Sequence, residues 1–200
     1  MTAKYLEIAS TSAVREAQVR YYGRAHVPTT DIAADALGNN ETAFIGARDS
    51  FYFATISESG WPYVQHRGGA PGFVRVLDKK TLAFPDYEGN RQMLTAGNLA
   101  ANSRAALFLM DYSQRTRLKI LGHARVEDAG LHPAFAAQPP DARRPLRRVI
   151  VFDVVAFDWN CPQYITPRYT TAEIEEVITP LQQRIAELEA QLAATHGPKK

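Results

Sequence analysis

Alternation between apolar and polar positions dominates the middle of the chain and predicts a body built mainly of strands. The run FYFATIS is typical: aromatic or aliphatic residues alternate with small ones, and a Ser/Gly turn leads into a second extended run. We predict six or seven strands, with candidate positions at residues 51–57, 61–69, 72–78, 81–86, 104–112, 117–128 and 147–159.

One predicted helix, over residues 90–102, interrupts this pattern. The connections between strands are short, which favours antiparallel pairing, and closure into a barrel would protect the strand edges. No β-α-β repeat of about 30 residues occurs, so a doubly wound parallel sheet is not expected. We therefore predict a mainly β fold, an antiparallel β-barrel with helices.

The two ends of the chain predict helices. Residues 1–49 are expected to form a helical segment packed on the barrel, with its second helix at about Asp35–Arg48. The barrel is assigned to residues 50–169, and residues 170–200 are assigned to a C-terminal helix with a disordered tail.

The C-terminal segment carries two helix-start signals, T-T-A-E at Thr170–Glu173 and T-P-L-Q at Thr179–Gln182. Pro180 suits the first turn of a second helix. Apolar residues recur at alternating spacings of four and three, as Ile174, Ile178, Leu181, Ile185, Leu188 and Leu192. This seam fits a coiled coil with a partner chain and equally fits a helix packed on its own barrel.

Composition narrows the partners and the compartment. The net charge of +2, from 23 basic and 21 acidic residues, does not indicate a nucleic-acid partner. No apolar stretch is long enough to cross a membrane, and no basic start followed by an apolar run suggests a signal peptide. Because Cys161 has no second cysteine to pair with, the cytoplasm is the expected location.

Common catalytic motifs are absent from the sequence. There is no G-x-G-x-x-G after a strand, no phosphate-binding Walker loop and no G-x-S-x-G elbow. The five histidines show no paired spacing of the kind that metals require, so no metal site is predicted.

Three basic segments instead point to an anionic ligand. QHRGG ends a strand with Gln65, His66 and Arg67, and its glycines allow close approach of a ligand to the backbone. Arg91 stands at the start of the predicted helix, where N–H groups and the dipole favour anions. RTRLKILG places Arg117 and Lys119 on one face of a strand. Each segment alone is also typical of solvated surface, but together they indicate one anion site.

At these residues the sequence resembles the pyridoxamine 5′-phosphate oxidase-like family of FMN-binding split barrels. The resemblance runs over about residues 51–126 and returns near Trp159. It implies a split barrel with FMN as cofactor. It also implies a set of cofactor-binding positions, which are Gln65, His66, Arg67, Pro85, Asp86, Asn90, Arg91, Gln92, Arg117, Lys119, Trp159 and Asn160.

The resemblance implies different roles for these positions. Arg67 and Arg91 would neutralise the phosphate, while Asp86 would lie nearer the ring or ribityl chain with Gln65 and His66. Positive charge from Arg117 or Lys119 beside the N1–C2 edge of the flavin would stabilise the reduced anion.

Two departures limit what the resemblance implies. Gln92 stands where the oxidase has a lysine, and the C-terminal Arg-x-His pattern for the oxidase's substrate is not evident. The biosynthetic activity is therefore not expected. A general FMN-dependent oxidoreductase is expected instead, as a homodimer with the cofactor at the subunit interface, a small-molecule substrate and NAD(P)H as candidate electron donor.

Three alternatives remain open from the sequence. The first is a non-catalytic flavin- or haem-binding module, in which His66, His123 or His196 would have to supply an axial ligand. The second is an FAD- or deazaflavin-dependent reductase on the same fold. The third is an interaction protein that acts through its C-terminal helix.

Overall fold

A computed structural model describes residues 1–89, 91–133, 135, 146–159 and 162–195 of the chain. Asn90 and Asn160, both expected at the cofactor, lie outside the described residues, as do Cys161, His196 and the tail expected to be disordered.

Seven antiparallel strands form one open sheet among the described residues. Its order is β2-β1-β5-β6-β7-β4-β3, so neighbours in the sheet are often distant in sequence. The strands are β1 (Ser50–Ile56), β2 (Pro62–Gly68), β3 (Arg75–Asp78), β4 (Thr81–Asp86), β5 (Arg104–Asp111), β6 (Thr116–Asp128) and β7 (Arg148–Trp159). The prediction of a mainly β, antiparallel split barrel is confirmed.

Five α-helices accompany the sheet in the described part of the chain: α1 (Ala3–Ala9), α2 (Ser12–Tyr22), α3 (Asn39–Gly46), α4 (Leu94–Ala101) and α5 (Thr171–Thr195). α3 is shorter than the helix expected at about Asp35–Arg48. The second C-terminal helix expected at Thr179 was wrong, because α5 continues through Pro180 without interruption. No helix in the described ranges combines the length and apolar character that crossing a membrane requires.

The core lies inside the curled sheet and follows from strand alternation. Inward residues of β1, Phe51 and Phe53, are each 1% exposed. Both rings meet Phe84 of β4 edge-on, with centroids 4.9 and 5.3 Å away. β1 and β4 are not neighbours in the sheet, so these contacts join opposite walls of the barrel. Burying each phenyl ring contributes about 1.5–3 kcal/mol.

Gly122 of β6 sits where β6 crosses closely over β7. The pairing register of the two strands shifts between Leu121 and Gly122. A Cβ on Gly122 would stand 2.1 Å from the carbonyl oxygen of Asp153 and 2.5 Å from the ring of Phe152. Only glycine fits at this bend, because any side chain would overlap the backbone of the neighbouring strand.

Helix α3 closes one end of the barrel through the last residue of β7. Trp159 donates its indole N–H to Glu41 at 2.7 Å and meets the Phe44 ring edge-on at 4.8 Å. Burial on its own would raise the pKa of the Glu41 carboxyl. The hydrogen bonds from Trp159 and from the Gly38 N–H outweigh that effect, so this pKa lies below its ordinary value. Glu41 is therefore a charged, structural partner of Trp159.

Candidate functional site

A cavity of about 400 Å³ opens between β2, the start of α4 and the start of β7. This volume is in the range of small-molecule sites. The lining comes from four parts of the chain: Tyr63, Gln65 and Arg67 of β2; Asp86, Tyr87, Glu88, Gly89, Arg91, Gln92 and Met93 at and after the end of β4; Leu94, Thr95 and Ala96 of α4; and Arg147 and Arg148.

The two-residue period of β2 decides which of its polar side chains reach the cavity. Tyr63, Gln65 and Arg67 share the half-buried face that lines it. His66 lies on the opposite, exposed face, with its ring 5.9 Å from that of Tyr52. The expectation that Gln65, His66 and Arg67 face one ligand together is corrected by this alternation.

Arg67 joins two strands that are far apart in the sheet order. Its Nη1 donates to Asp86 Oδ1 at 2.8 Å, and its Nη2 donates to Thr95 Oγ1 at 3.3 Å. The Thr95 hydroxyl in turn donates to Gln65 Oε1 at 3.0 Å. Since β2 is one edge of the sheet and β4 lies next to the other, this network spans the open side of the barrel.

Asp86 is held between two guanidinium groups. Arg67 bonds one carboxylate oxygen, and the Nε of Arg148 donates to the other at 2.9 Å. The carboxylate is only 11% exposed, and the Arg67 side chain only 12%. The Nε of Arg67 is buried and has no hydrogen-bond partner among the described residues. An unsatisfied buried donor of a charged group indicates room for an additional acceptor.

Charge in the cavity is positive overall. Four arginines and two carboxylates line it, which leaves a net charge of +2. Glu88 and Arg147 are close enough to form a loose ion pair, 3.4 Å apart and largely exposed. Arg91 has no acidic partner among the described residues. The lining therefore offers an anion several cationic donors.

The start of α4 adds backbone donors to the same wall. The helix begins at Leu94, and Met93 occupies the preceding cap position without a side-chain cap bond. Arg91 and Met93 have φ angles of +63° and +55°, a left-handed conformation that is costly for side chains of this size. Arg91 thus precedes the helix instead of opening it, which corrects the expected helix start at residue 90.

Besides His66, four of the described residues expected at the cofactor do not line the cavity. Pro85 is buried within β4 beside the core, and Trp159 is engaged by α3. Lys119 pairs with Asp158 at 3.1 Å and lies 5.1 Å from the Tyr5 ring centroid. Arg117 lies over Phe108, 5.9 Å from its ring centroid. Lys119 and Arg117 flank the buried Leu118 and occupy the outer face of β6.

Thr95 and Arg148 are cavity residues that the sequence did not indicate. Thr95 is a small polar residue one position into a helix, which is common in any helix. Arg148 enters the site because β4 and β7 pair so that Asp86 lies opposite Arg148. The place of Arg148 in the cavity could therefore be predicted only after β4 and β7 were known to pair in this register. No group of three or more metal-binding side chains was found in the part of the chain that the structure describes.

Comparison with known proteins places the chain in a family. The family described as pyridoxamine 5′-phosphate oxidase matches residues 37–159. HupZ of Group A Streptococcus is 16% identical over 66% of this chain and 100% of its own, with a TM-score of 0.51. No curated protein matches the chain in sequence.

Two further solved structures are more distant in shape. A Lactobacillus delbrueckii protein, provisionally described as a pyridoxamine 5′-phosphate oxidase, is 21% identical over 62% of this chain and 93% of its own, with a TM-score of 0.49. An FMN-binding protein from Syntrophomonas wolfei is 12% identical over 60% and 83%, with a TM-score of 0.44. With an identity of 16% and a TM-score of 0.51, the similarity to HupZ shows a shared fold. Nothing is inferred from the other two structures, whose TM-scores are below 0.5. The family match covers all seven strands, and the chain belongs to the pyridoxamine 5′-phosphate oxidase family.

Proposed function

We propose that the protein binds FMN and that its cavity holds the cofactor's phosphate. One observation carries the proposal: a cavity with a net charge of +2 contains a buried guanidinium donor, the Nε of Arg67, without a partner in the described structure. A phosphate monoester carries a charge of about −1.5 to −2 near neutral pH and has three strong acceptor oxygens. The phosphate would therefore balance the positive charge of the lining and offer an acceptor to the Nε of Arg67.

The arrangement of donors supports a phosphate over other anions. Arg67 approaches from β2 and Arg148 from β7, while Arg91 stands on the loop before α4. The first residues of α4 also line the cavity, and N–H groups at a helix start favour anions. Donors from three directions suit the tetrahedral end of a phosphate better than a planar carboxylate, which a single arginine fork already satisfies.

Asp86 has a defined part in this site. In the structure its carboxylate bonds Arg67 and Arg148 and so keeps both guanidinium groups in place. It also offsets part of their positive charge, because the two guanidinium groups would otherwise repel each other within a half-buried space. Gln65 and Tyr63, on the same face of β2, are assigned to the sugar-alcohol chain or ring of the cofactor.

The chemistry follows from the cofactor: bound FMN supplies hydride or electron transfer to or from a small molecule. This chain's residues bind and orient it and shield one side from water. No acid or base is required of the protein for a simple hydride transfer, which agrees with the lack of a catalytic constellation in the sequence. NAD(P)H is the proposed electron donor, and the biosynthetic oxidase activity is not part of the proposal.

A homodimer with the cofactor at the subunit interface is also part of the proposal. The outer face of β1, β2, β5 and β6, together with the residue that follows β5, presents half-buried or exposed aromatic and basic side chains. These are Tyr52, His66, Phe108, Tyr112, Arg117 and Lys119. The Nε of Arg117 is buried there without a partner in the described part of the chain. A hydrogen bond with Tyr52 is the main cause that raises the pKa of Tyr112, so this phenol is neutral. A second copy could use this face, and His66, Arg117 and Lys119 would then contact the partner's cofactor.

Two measurements test the proposal. The first is the visible spectrum of the purified full chain, and the second is a titration of the flavin-free protein with FMN. Bound FMN is expected as two visible flavin bands, with quenched fluorescence on titration. A haem spectrum or an absence of FMN binding would overturn the proposal. FAD and a deazaflavin are titrated alongside, and tighter binding of either would replace FMN as the assigned cofactor.

Arg91→Ala is expected to weaken FMN binding roughly fivefold. Arg91 is exposed, so its contact with the phosphate is partly screened and contributes about 1 kcal/mol. Arg91→Lys keeps the charge and should lose less. The check is fluorescence titration with FMN and, in parallel, with riboflavin, which has no phosphate. Riboflavin affinity should not change, and equal losses for the two ligands would contradict a phosphate role for Arg91.

Asp86→Asn is expected to lower the stability of the ligand-free protein by about 1–3 kcal/mol, because two close guanidinium groups lose their shared carboxylate while the amide oxygen can still accept a hydrogen bond. A phosphate in the cavity would replace that carboxylate. Added FMN should therefore raise the melting temperature of this variant more than that of the original protein. Asp49→Asn, at an exposed carboxylate outside the cavity, serves as the matched control. An unchanged FMN-induced shift in Asp86→Asn would contradict the assignment.

A further inference from the structure

Helix α5 stands out from the body of the protein with its apolar residues uncovered. From Thr171 to Ala194 every residue except Glu173 is exposed. The six seam residues are between 42% and 59% exposed: Ile174, Ile178, Leu181, Ile185, Leu188 and Leu192. The structure therefore does not support the interpretation in which this seam packs on its own barrel.

A helix of this kind requires a cover. Twenty-five residues span about 37 Å, and most helical stability in proteins comes from packing an apolar face. The start of α5 is nevertheless well defined, because Thr170 and Glu173 form the reciprocal capping box: the Glu173 N–H donates to Thr170 Oγ1, and the Thr170 N–H donates to Glu173 Oε2. The chain thus forms a well-capped helix whose apolar stripe is exposed.

The identity of the seam residues favours a two-stranded parallel coiled coil. The spacing assigns Ile178, Ile185 and Leu192 to heptad position a, and Ile174, Leu181 and Leu188 to position d. The two central heptads therefore have isoleucine at a and leucine at d. That combination favours parallel dimers, because β-branched side chains pack best at the a layer of two strands.

The flanking charges agree with the parallel arrangement. Arg184 is at position g and Glu189 at position e of the following heptad, so in a parallel pair each Arg184 faces Glu189 of the second copy. The antiparallel arrangement that pairs all six seam residues would instead set Arg184 against Arg184, and Glu175 against Glu189. Like charges in these positions destabilise a coiled coil.

Two features of α5, an ion pair within the helix and a proline, are compatible with this pairing. Arg184 bonds Glu187 of the same helix at 2.8 Å, but both side chains are 60% exposed, and exposed pairs of this kind contribute little and exchange readily. Pro180 lies at position c, on the side of the helix away from the seam. The backbone hydrogen bond that proline removes therefore faces solvent.

From these observations we propose that α5 pairs with α5 of a second copy of this chain as a parallel, in-register coiled coil. The pairing places each d residue opposite its own copy and links two protein bodies at the starts of their C-terminal helices. The proposal rests on α5 alone and stands whether or not the cavity binds FMN.

Disulfide crosslinking of the full chain tests both the partner and the direction. In a Cys161→Ser background, Leu188→Cys places one thiol in a d layer, and Ile185→Cys does so in the neighbouring a layer. Both are expected to give mostly disulfide-linked dimer under mild oxidation at low micromolar concentration. Gln183→Cys, at the outward position f, is the matched control and should crosslink at least tenfold more slowly. Equal crosslinking of Leu188→Cys and Gln183→Cys, or none in either seam variant, overturns the proposal.

Two additional arms separate the alternatives. A mixture of Ile178→Cys and Leu188→Cys chains would form the mixed disulfide efficiently only if the helices were antiparallel, and that result would overturn the parallel assignment. Within the Leu188→Cys chain, Arg184→Glu is expected to slow crosslinking several-fold, and adding Glu189→Arg should restore it. Failure of this charge exchange to restore the rate would contradict the pairing of Arg184 with Glu189.

Discussion

Arg67→Ala is expected to weaken FMN binding by roughly tenfold to a hundredfold. A charge-assisted hydrogen bond contributes about 1.5–3 kcal/mol, and the Arg67 side chain is 12% exposed, so water screens it little. The loss should exceed that of Arg91→Ala, because Arg91 is exposed. The measurement is the dissociation constant for FMN, determined by fluorescence titration of the flavin-free protein.

Controls for this variant separate binding from folding. Arg67→Lys keeps one positive charge but cannot bond Asp86 and Thr95 with a planar fork, so its loss should be intermediate. Arg104→Ala removes an exposed arginine of β5 outside the cavity and should leave the FMN affinity unchanged. If Arg67→Ala keeps both its melting temperature and its FMN affinity, the phosphate is not bound at Arg67.

Gly122→Ala is expected to destabilise the protein by about 3 kcal/mol or more. Of the substitutions proposed for this protein, it should have the largest effect on stability. The added carbon would stand 2.1 Å from a backbone oxygen, so β6 and β7 would have to separate. For a chain of this size the melting temperature should fall by roughly 6–12 °C. Thermal unfolding followed by circular dichroism provides the measurement.

Gly97→Ala is the matched control for this change. Gly97 is an exposed residue of α4, and a Cβ there meets no atom within 4 Å. Alanine should therefore stabilise the helix by about 0.5–1 kcal/mol, because it is the better helix former. A Gly122→Ala protein that melts at the original temperature would show that the two strands have room that the structure does not indicate.

The strands could be predicted because the alternation of apolar and polar residues is a property of short stretches of sequence. Phe51 and Phe53 point inward simply because they are two positions apart, and the same period carries Arg67 and Gln65 to one face. This rule also shows why His66 was misplaced: three consecutive polar residues on a strand cannot share one face. A stricter use of the two-residue period would have separated His66 from its neighbours.

The pairing of distant strands could not be predicted in the same way. Asp86 meets Arg148 because β4 lies beside β7, and it meets Arg67 because the sheet curls until its two ends approach. Neither relation is local in sequence. Pro180 gives a similar lesson in the helix, because a proline near a helix-start signal fits both a new helix and an interruption within a longer one.

The strand order also determines when the molecule can become complete during its synthesis. β7 pairs with both β6 and β4, and it is the last strand of the sheet to be made. Until residue 159 has left the ribosome, β3 and β4 have no neighbour that attaches them to β1, β2, β5 and β6. Pairings over such long separations are slow to form, because the chain loses much entropy before it gains contacts. The arginine-lined cavity, which needs β2, β4 and β7 together, is therefore among the last features to assemble, and a nascent chain remains unable to bind a ligand there until its sheet is closed.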